Sequence, residues 1–328
     1  MRRREFITAL GGAAAAWPVV ARAQRIAVPV VGLLGGASPD RSVAILRAFR
    51  EGLAETGYVE NRNVKIEYRW ALGQNNQLPE LAADLARRRV TVIATLGSTP
   101  AALAAKAATT DIPIVFQVGS DPIAAGLIMS LSRPGGNVTG VTNMNTELEP
   151  KRLELLRDLV PGGKVMALLV NPTSRFITET LSRDMQLAAR DMGIELHIVP
   201  ASAEDEFEGA FAKLMQLRVS ALVIAPDALF ISNSEQLGAL SVRHRLPAIT
   251  QFREFAVGGG LMAYGGSITA TARQVGVYAS RILNGERPGD LPVVQTANVE
   301  LVINLKTAKT LDLTVPPALL ARADEVIE

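Results

Sequence analysis

Two α/β lobes, each a doubly wound parallel sheet covered by helices on both faces, with the pair joined by a hinge, are what this sequence predicts. Three observations lead there. Short β-branched runs alternate with amphipathic helical patterns from Val28 to Gln251, as expected of repeated βα units. About 300 residues remain once the N-terminal segment is set aside, more than one hydrophobic core usually serves. The turn-rich Pro134-Gly135-Gly136-Asn137 separates two series of such units.

The N-terminal segment reads MRRREFITALGGAAAAWPVVARAQ. Three arginines precede a weakly apolar Ala/Gly run, closed by the small-x-small triplet Ala21-Arg22-Ala23. That layout predicts an export signal over residues 1–23, cleaved near residue 23, and a periplasmic destination. Arg3-Arg4-Glu5-Phe6-Ile7 resembles the twin-arginine consensus. Gly11, Gly12 and Pro18 interrupt the run, which falls short of the roughly 20 apolar residues of a membrane span. Removing residues 1–23 takes away four arginines and one glutamate, so the formal net charge falls from +2 to −1. The basic character belongs to the signal, and nucleic acid is not an expected partner. The absence of cysteine excludes a disulfide framework, a thiol nucleophile and a lipid-bearing cysteine. A soluble monomer without a cofactor is expected.

The elements follow in order. Val28 to Leu34 reads as a buried strand, and Ser42 to Thr56 as a helix with Val43, Leu46, Phe49 and Leu53 on one face, stopped by Gly57. Val64–Arg69, Val90–Leu96 and Ile112–Val118 read as strands; Leu78–Arg88, Pro100–Ala108 and Pro122–Leu131 read as the helices after them. A short strand, Val138–Val141, leads into the second series. Its helices are expected at Glu149–Leu159, Thr178–Met192, Glu204–Leu217 and Ser234–His244, and its strands at Lys164–Val170, Ile194–Val199, Ala221–Ala225 and Ala248–Gln251. A strand at Leu261–Tyr264, a helix at Thr269–Leu283, a strand at Val299–Ile303 and a C-terminal helix at Pro317–Val326 complete the chain. The expected division is residues 24–142 plus about 265–290 for lobe 1 and 143–264 plus about 291–328 for lobe 2. Several crossings between two such lobes make a hinge that closes around a ligand.

Open parallel sheets bind ligands beyond the carboxyl ends of their strands, where helix N-termini direct N–H groups outward. Those loops carry Gly97-Ser98-Thr99-Pro100, Gly119-Ser120-Asp121-Pro122, Asn171-Pro172-Thr173-Ser174, Pro226-Asp227 and Gln251-Phe252. Ser98 and Thr99 offer hydroxyls and a helix dipole to a carboxylate. Asp121 or Asp227 could accept from an ammonium, and Phe230, Phe252 and Tyr264 could stack on a flat apolar group. For any one of these residues, ordinary helix capping or core packing is the competing explanation.

Catalytic patterns are missing. Neither His197 nor His244 has metal-ligand spacing, and the Walker A, G-x-S-x-G and H-E-x-x-H motifs do not occur. Gly258-Gly259-Gly260-Leu261-Met262-Ala263 fits a dinucleotide fingerprint by letters, but it precedes a strand where the fingerprint should follow one.

The stretches Arg47-Ala48-Phe49-Arg50-Glu51-Gly52-Leu53 and Gly57-Tyr58-Val59-Glu60-Asn61-Arg62-Asn63-Val64, with Leu131-Ser132-Arg133-Pro134-Gly135-Gly136-Asn137-Val138-Thr139-Gly140, carry a resemblance. So do Phe252-Arg253-Glu254-Phe255, Gly259-Gly260-Leu261-Met262-Ala263-Tyr264-Gly265 and Leu301-Val302-Ile303-Asn304-Leu305-Lys306-Thr307. Over essentially the whole mature chain the sequence resembles the ABC-transporter substrate-binding proteins that include tryptophan- and tyrosine-binding members. The resemblance implies a type I periplasmic-binding-protein fold with three hinge strands. It also implies delivery of a small carboxylate-bearing solute, with aromatic amino acids the family's familiar ligands, to an inner-membrane permease driven by a cytoplasmic ATPase. By position in that fold it implies ligand contacts at Ser98, Thr99, Asp121, Asn143, Asp227, Phe252 and Tyr264. A ligand-binding partner of a membrane receptor, or an exported hydrolase or isomerase using a carboxylate pair, are the competing functions.

Overall fold

The computed structural model describes residues 28–296 and 298–328, and the expected export signal lies outside them. The βα alternation folds into two sheets. One contains β1 (Val30–Gly35), β2 (Lys65–Trp70), β3 (Val92–Leu96), β4 (Ile114–Val118), β5 (Val138–Thr142) and β11 (Val294–Gln295), ordered β11-β5-β4-β3-β1-β2. Every pair in it is parallel. The other contains β6 (Val165–Val170), β7 (Glu195–Pro200), β8 (Ala221–Ile224), β9 (Ala248–Thr250), β10 (Met262–Gly266), β12 (Val299–Asn304) and β13 (Glu325–Ile327), ordered β13-β12-β10-β9-β8-β6-β7.

The strands bury side chains on both faces, as parallel sheets do. In β3, Val92, Ala94 and Leu96 enter one core and Ile93 the opposite one. In β6, Met166, Leu168 and Val170 face one core while Ala167 and Leu169 face the other. Helices α1 (Val43–Ala54), α2 (Leu78–Arg87), α3 (Thr99–Ala108) and α10 (Ile268–Leu283) cover the first sheet. The second sheet is flanked by α4 (Glu149–Leu159), α5 (Arg175–Asp191), α6 (Phe207–Gln216), α7 (Ala228–Ser232), α8 (Ser234–Arg243), α9 (Arg253–Val257), α11 (Leu305–Thr310) and α12 (Pro317–Leu320).

Helix α10 comes from far along the chain yet lies directly on α1, and two glycines set how closely. A Cβ on Gly52 would stand 1.9 Å from the Arg273 carbonyl oxygen, and one on Gly276 would stand 2.1 Å from that of Phe49. Only backbone fits there, and this contact fixes the start of α10, Ile268, against the first sheet.

Several expectations change. Residues 122–131 form turns instead of a helix. The Asp121 carboxylate caps the first turn, accepting the Ile123 N–H at 2.8 Å, but Gly126 at φ +72° turns the chain before a second helical turn forms. Val43, expected on the buried face of α1, is 65% exposed because it starts the helix before the chain reaches the core. The expected C-terminal helix stops at Leu320, and Glu325–Ile327 instead extends the sheet beside β12. Asp324 anchors it, its carboxylate accepting the Leu301 N–H at 2.7 Å and its own N–H donating to the Leu301 carbonyl at 2.9 Å. Val294–Gln295, just past the boundary expected near residue 291, pairs with Val141–Thr142 in the first sheet.

Among the described residues the chain crosses between the sheets three times: through residues 143–148 after β5, through Ser267 between β10 and α10, and between β11 and β12. The third explains why β12 runs antiparallel to β10. β10 leaves the second sheet toward the first, and β12 returns along the same edge without an intervening helix. The connections bond to one another. Asn145 Oδ1 accepts the Gly266 N–H at 3.1 Å, and the Thr296 N–H donates to the Thr142 carbonyl at 2.9 Å. Beneath them lies a fully buried ion pair. Arg152 donates to Glu149 at 2.5 Å, to the Asn145 carbonyl at 2.9 Å and to the Tyr264 carbonyl at 2.7 Å. One guanidinium therefore ties the first connection to the end of β10.

Candidate functional site: the cleft between the sheets

The carboxyl ends of the two sheets face each other across a cleft with about 490 Å³ of atom-free space, its open mouth included. Lobe 1 supplies Gly97, Ser98, Thr99, Gln117 and Ile268; the first connection supplies Asn143 and Asn145; lobe 2 supplies Ile177, Asp227, Ala228, Ile231, Gln251 and Phe252. Of the residues expected at a ligand, the cleft brings together Ser98, Thr99, Asn143, Asp227 and Phe252.

Two expected residues lie elsewhere. Asp121 lines a separate groove with Glu147, Phe176 and Asp184, and its carboxylate turns back onto the Ile123 N–H. Tyr264 pairs with Leu301 in the sheet and packs its ring on the second lobe's core. Pleat alternation sends it into the lobe, away from the cleft. Phe230 is likewise a core residue, tilted against Phe207 at 6.0 Å between ring centroids.

Ser98 is the N-cap of α3. Its Oγ accepts the Ala101 N–H at 3.2 Å, and the ten-residue helix directs its positive end into the cleft. The Thr99 hydroxyl shares a hydrogen bond of 3.0 Å with Ser120. Asp227 caps α7. Its Oδ1 accepts the Leu229 N–H and Asn171 Nδ2, both at 2.9 Å, and its Oδ2 accepts the Ser174 hydroxyl. Burial pushes its carboxyl above the ordinary aspartate value, while the Ser174, Asn171 and Leu229 bonds pull the other way. Among the described residues, Asp227 is the one carboxylate lining the main cleft.

Ser174 also accepts from Asn75 Nδ2 at 3.0 Å, a contact from the first lobe to the second. Arg41 makes another, donating to the Ser232 carbonyl at 2.6 Å. Both lie at the mouth, away from the hinge, so the lobes are closed on one another.

Sequence reasoning missed Gln117 and Gln251 as site residues. Gln117 left a signal: a polar residue next to last in the otherwise apolar strand Ile114-Val115-Phe116-Gln117-Val118. Its Nε2 donates to the Ile268 carbonyl at 2.7 Å. Gln251 is the first residue after β9, and its side chain is buried at the cleft. A second, mostly apolar chamber adjoins through Gly97, Ala228, Ile231 and Ile268 and is walled by Ile45, Trp70 and Leu96.

Paired α/β sheets, three connections and a cleft at the strand ends define a type I periplasmic-binding-protein fold. Solved solute-binding proteins of that fold superpose on this chain at 11–13% identity, with TM-scores of 0.59 for one from Burkholderia mallei and 0.54 for a leucine-binding protein from Thermotoga maritima. The chain belongs to the ABC transporter substrate binding protein family, whose model matches residues 30–327. It is 28% identical over 267 residues, 81% of this chain and 76% of the relative, to a tyrosine-binding protein of Clostridioides difficile. A Streptococcus pneumoniae ABC domain solved in complex with L-Trp is 25% identical, with TM-score 0.80 over 91% of this chain and 99% of its own. The ligand-free, open structure of a Clostridium difficile substrate-binding protein, at 24% identity over 92% and 99% of the two chains, superposes with a TM-score of 0.60.

Proposed function

We infer that this chain is the solute receptor of an ABC importer, exported to the periplasm, which captures a small amino-acid-like carboxylate by closing its lobes and presents it to a membrane permease. The closed cleft carries the reading: two lobes meet over a buried, polar-lined space fed by a helix N-terminus. The solute's carboxylate lies at Ser98 and Thr99, where the dipole of α3 and two hydroxyls favour negative charge. Its apolar side chain points toward Phe252, Ile231 and Ile268 and the chamber bounded by Trp70. The tyrosine-binding relative and the L-Trp complex support an aromatic side chain.

Isothermal calorimetry and thermal unfolding against the amino acids and their carboxylate analogues test this reading. A true solute raises unfolding free energy as RT ln(1 + [L]/Kd), about 2.7 kcal/mol at a hundredfold excess over Kd. No stabilisation by any amino acid or aromatic carboxylate would remove it. Import of the labelled solute by cells, lost on deletion of this gene and of the permease, tests the transport step.

A further inference from the structure

Three side-chain carbonyl oxygens at the cleft are buried without a hydrogen-bond partner among the described residues: Gln117 Oε1, Asn143 Oδ1 and Gln251 Oε1. All three residues are at least nine-tenths buried, at 3%, 7% and 3% exposure. An unmet buried acceptor is costly, and of the eleven buried side-chain atoms without a partner among the described residues, these three amide oxygens gather at one cleft. The Gln117 amide is held in one orientation. Its Nε2 donates to the Ile268 carbonyl, which can only accept, so the free end of the side chain is the oxygen. The other acceptors nearby are engaged: Asn145 Oδ1 holds the Gly266 N–H, and Asp227 receives three bonds. Among the residues lining the cleft there is no lysine or arginine.

We propose that Gln117, Asn143 and Gln251 form an ammonium-binding subsite, each carbonyl oxygen accepting one N–H of a primary amine on the solute. A primary ammonium has three N–H donors, matching the three unmet acceptors. The oxygens come from the first lobe, the hinge and the second lobe in turn, so one ammonium bonding all three holds the cleft closed. The positive charge is met by neutral dipoles and not by Asp227, which suits a solute bringing its own carboxylate. The subsite rests on the amino-acid reading above and adds to it the requirement for a free amine.

The test uses the mature protein after exhaustive dialysis, with L-tryptophan and L-tyrosine as probes. Each is compared by calorimetry with its des-amino analogue, indole-3-propionate or 3-(4-hydroxyphenyl)propionate, which keeps ring and carboxylate. Loss of the amine should weaken binding at least a hundredfold, since hydrogen bonds to a charged group are the strong ones and three are lost together. Gln251→Leu should weaken the amino acid tenfold or more and leave the affinity of a des-amino analogue within threefold. Gln251→Glu, which keeps an acceptor, should bind the amino acid as well as the unaltered protein or better. Equal binding of amino acid and des-amino analogue overturns the subsite while leaving the carboxylate site standing, as does loss of binding in Gln251→Glu. Binding of neither overturns both.

Discussion

The mouth and the floor of the cleft use their polar groups in opposite ways. At the mouth, hydrogen bonds run from one lobe to the other. Asn75 donates to Ser174, Ser174 donates to Asp227, and Arg41 reaches the Ser232 carbonyl. On the floor, Gln117, Asn143 and Gln251 carry oxygens that no described residue meets. The bonds at the mouth join the closed lobes to one another, while the three amide oxygens on the floor keep their capacity to accept. The contrast sets two roles for Asp227 against each other: it lines the cleft as expected of a ligand group, and its oxygens already hold Asn171, Ser174 and the Leu229 N–H.

The largest expected effect lies under the floor, at the buried pair that binds the connections together. Arg152→Ala strips the buried Glu149 of its partner and leaves the Asn145 and Tyr264 carbonyls without a donor, so stability should fall by about 3–5 kcal/mol. Urea unfolding measures it, and a loss below about 1 kcal/mol would mean that the pair does not hold the hinge. The same pair predicts a pH dependence. Burial pushes the Glu149 carboxyl up to about 7 from an ordinary 4.5, against the pull of Arg152. A carboxyl raised in the folded state takes up protons on folding. Its contribution is therefore complete below about 4.5 and is lost as pH rises toward 7. Relative to the unaltered protein, Glu149→Gln should gain stability between about pH 5 and pH 7, by at most ~1.4 kcal/mol per pH unit. A flat difference across that range would show that Glu149 is ionised throughout.

At the mouth, Asp227→Ala strips acceptors from Asn171, Ser174 and the Leu229 N–H together. The expected cost is about 2–4 kcal/mol of stability. If Asp227 were instead a ligand group with a small structural role, its removal would abolish binding while leaving the melting temperature nearly unchanged. Calorimetry and thermal unfolding of the same variant separate the two.

The alternating units were legible because parallel strands buried on both faces carry unbroken apolar runs and their helices carry a 3.6-residue stripe. Residues 122–131 mislead because a capping Asp121, a proline start and apolar spacing all suit a helix, while the interruption comes from Gly126 in the left-handed region. Glu325–Ile327 misled for the opposite reason: its strand exists only beside β12, a partner far away in sequence. In the site, Ser98 and Thr99 were visible as cap residues after a strand. Tyr264 was placed by closeness to a strand end, which leaves open the face it points to. Gln251 could not be singled out, because an amide becomes informative only when its surroundings leave it unmatched.

The smallest expected effect tests whether the mouth is a latch at all. Asn75 Nδ2 reaches both Thr173 Oγ1 and Ser174 Oγ at 3.0 Å, and Asn75 itself belongs to no hydrophobic core. Asn75→Ala removes one or two partly exposed hydrogen bonds between lobes, worth together about 1 kcal/mol. Since those bonds form only when the lobes meet, the loss falls on the closed state and shifts the open–closed balance by roughly fivefold. Small-angle scattering should show a larger mean radius before solute is added and the same radius at saturation. Affinity for the solute should fall by about the same factor, because closing must now be driven by solute contacts alone. An unchanged radius and affinity would mean that the Asn75 contact follows closure without favouring it, leaving Arg41 and Ser232 as the latch.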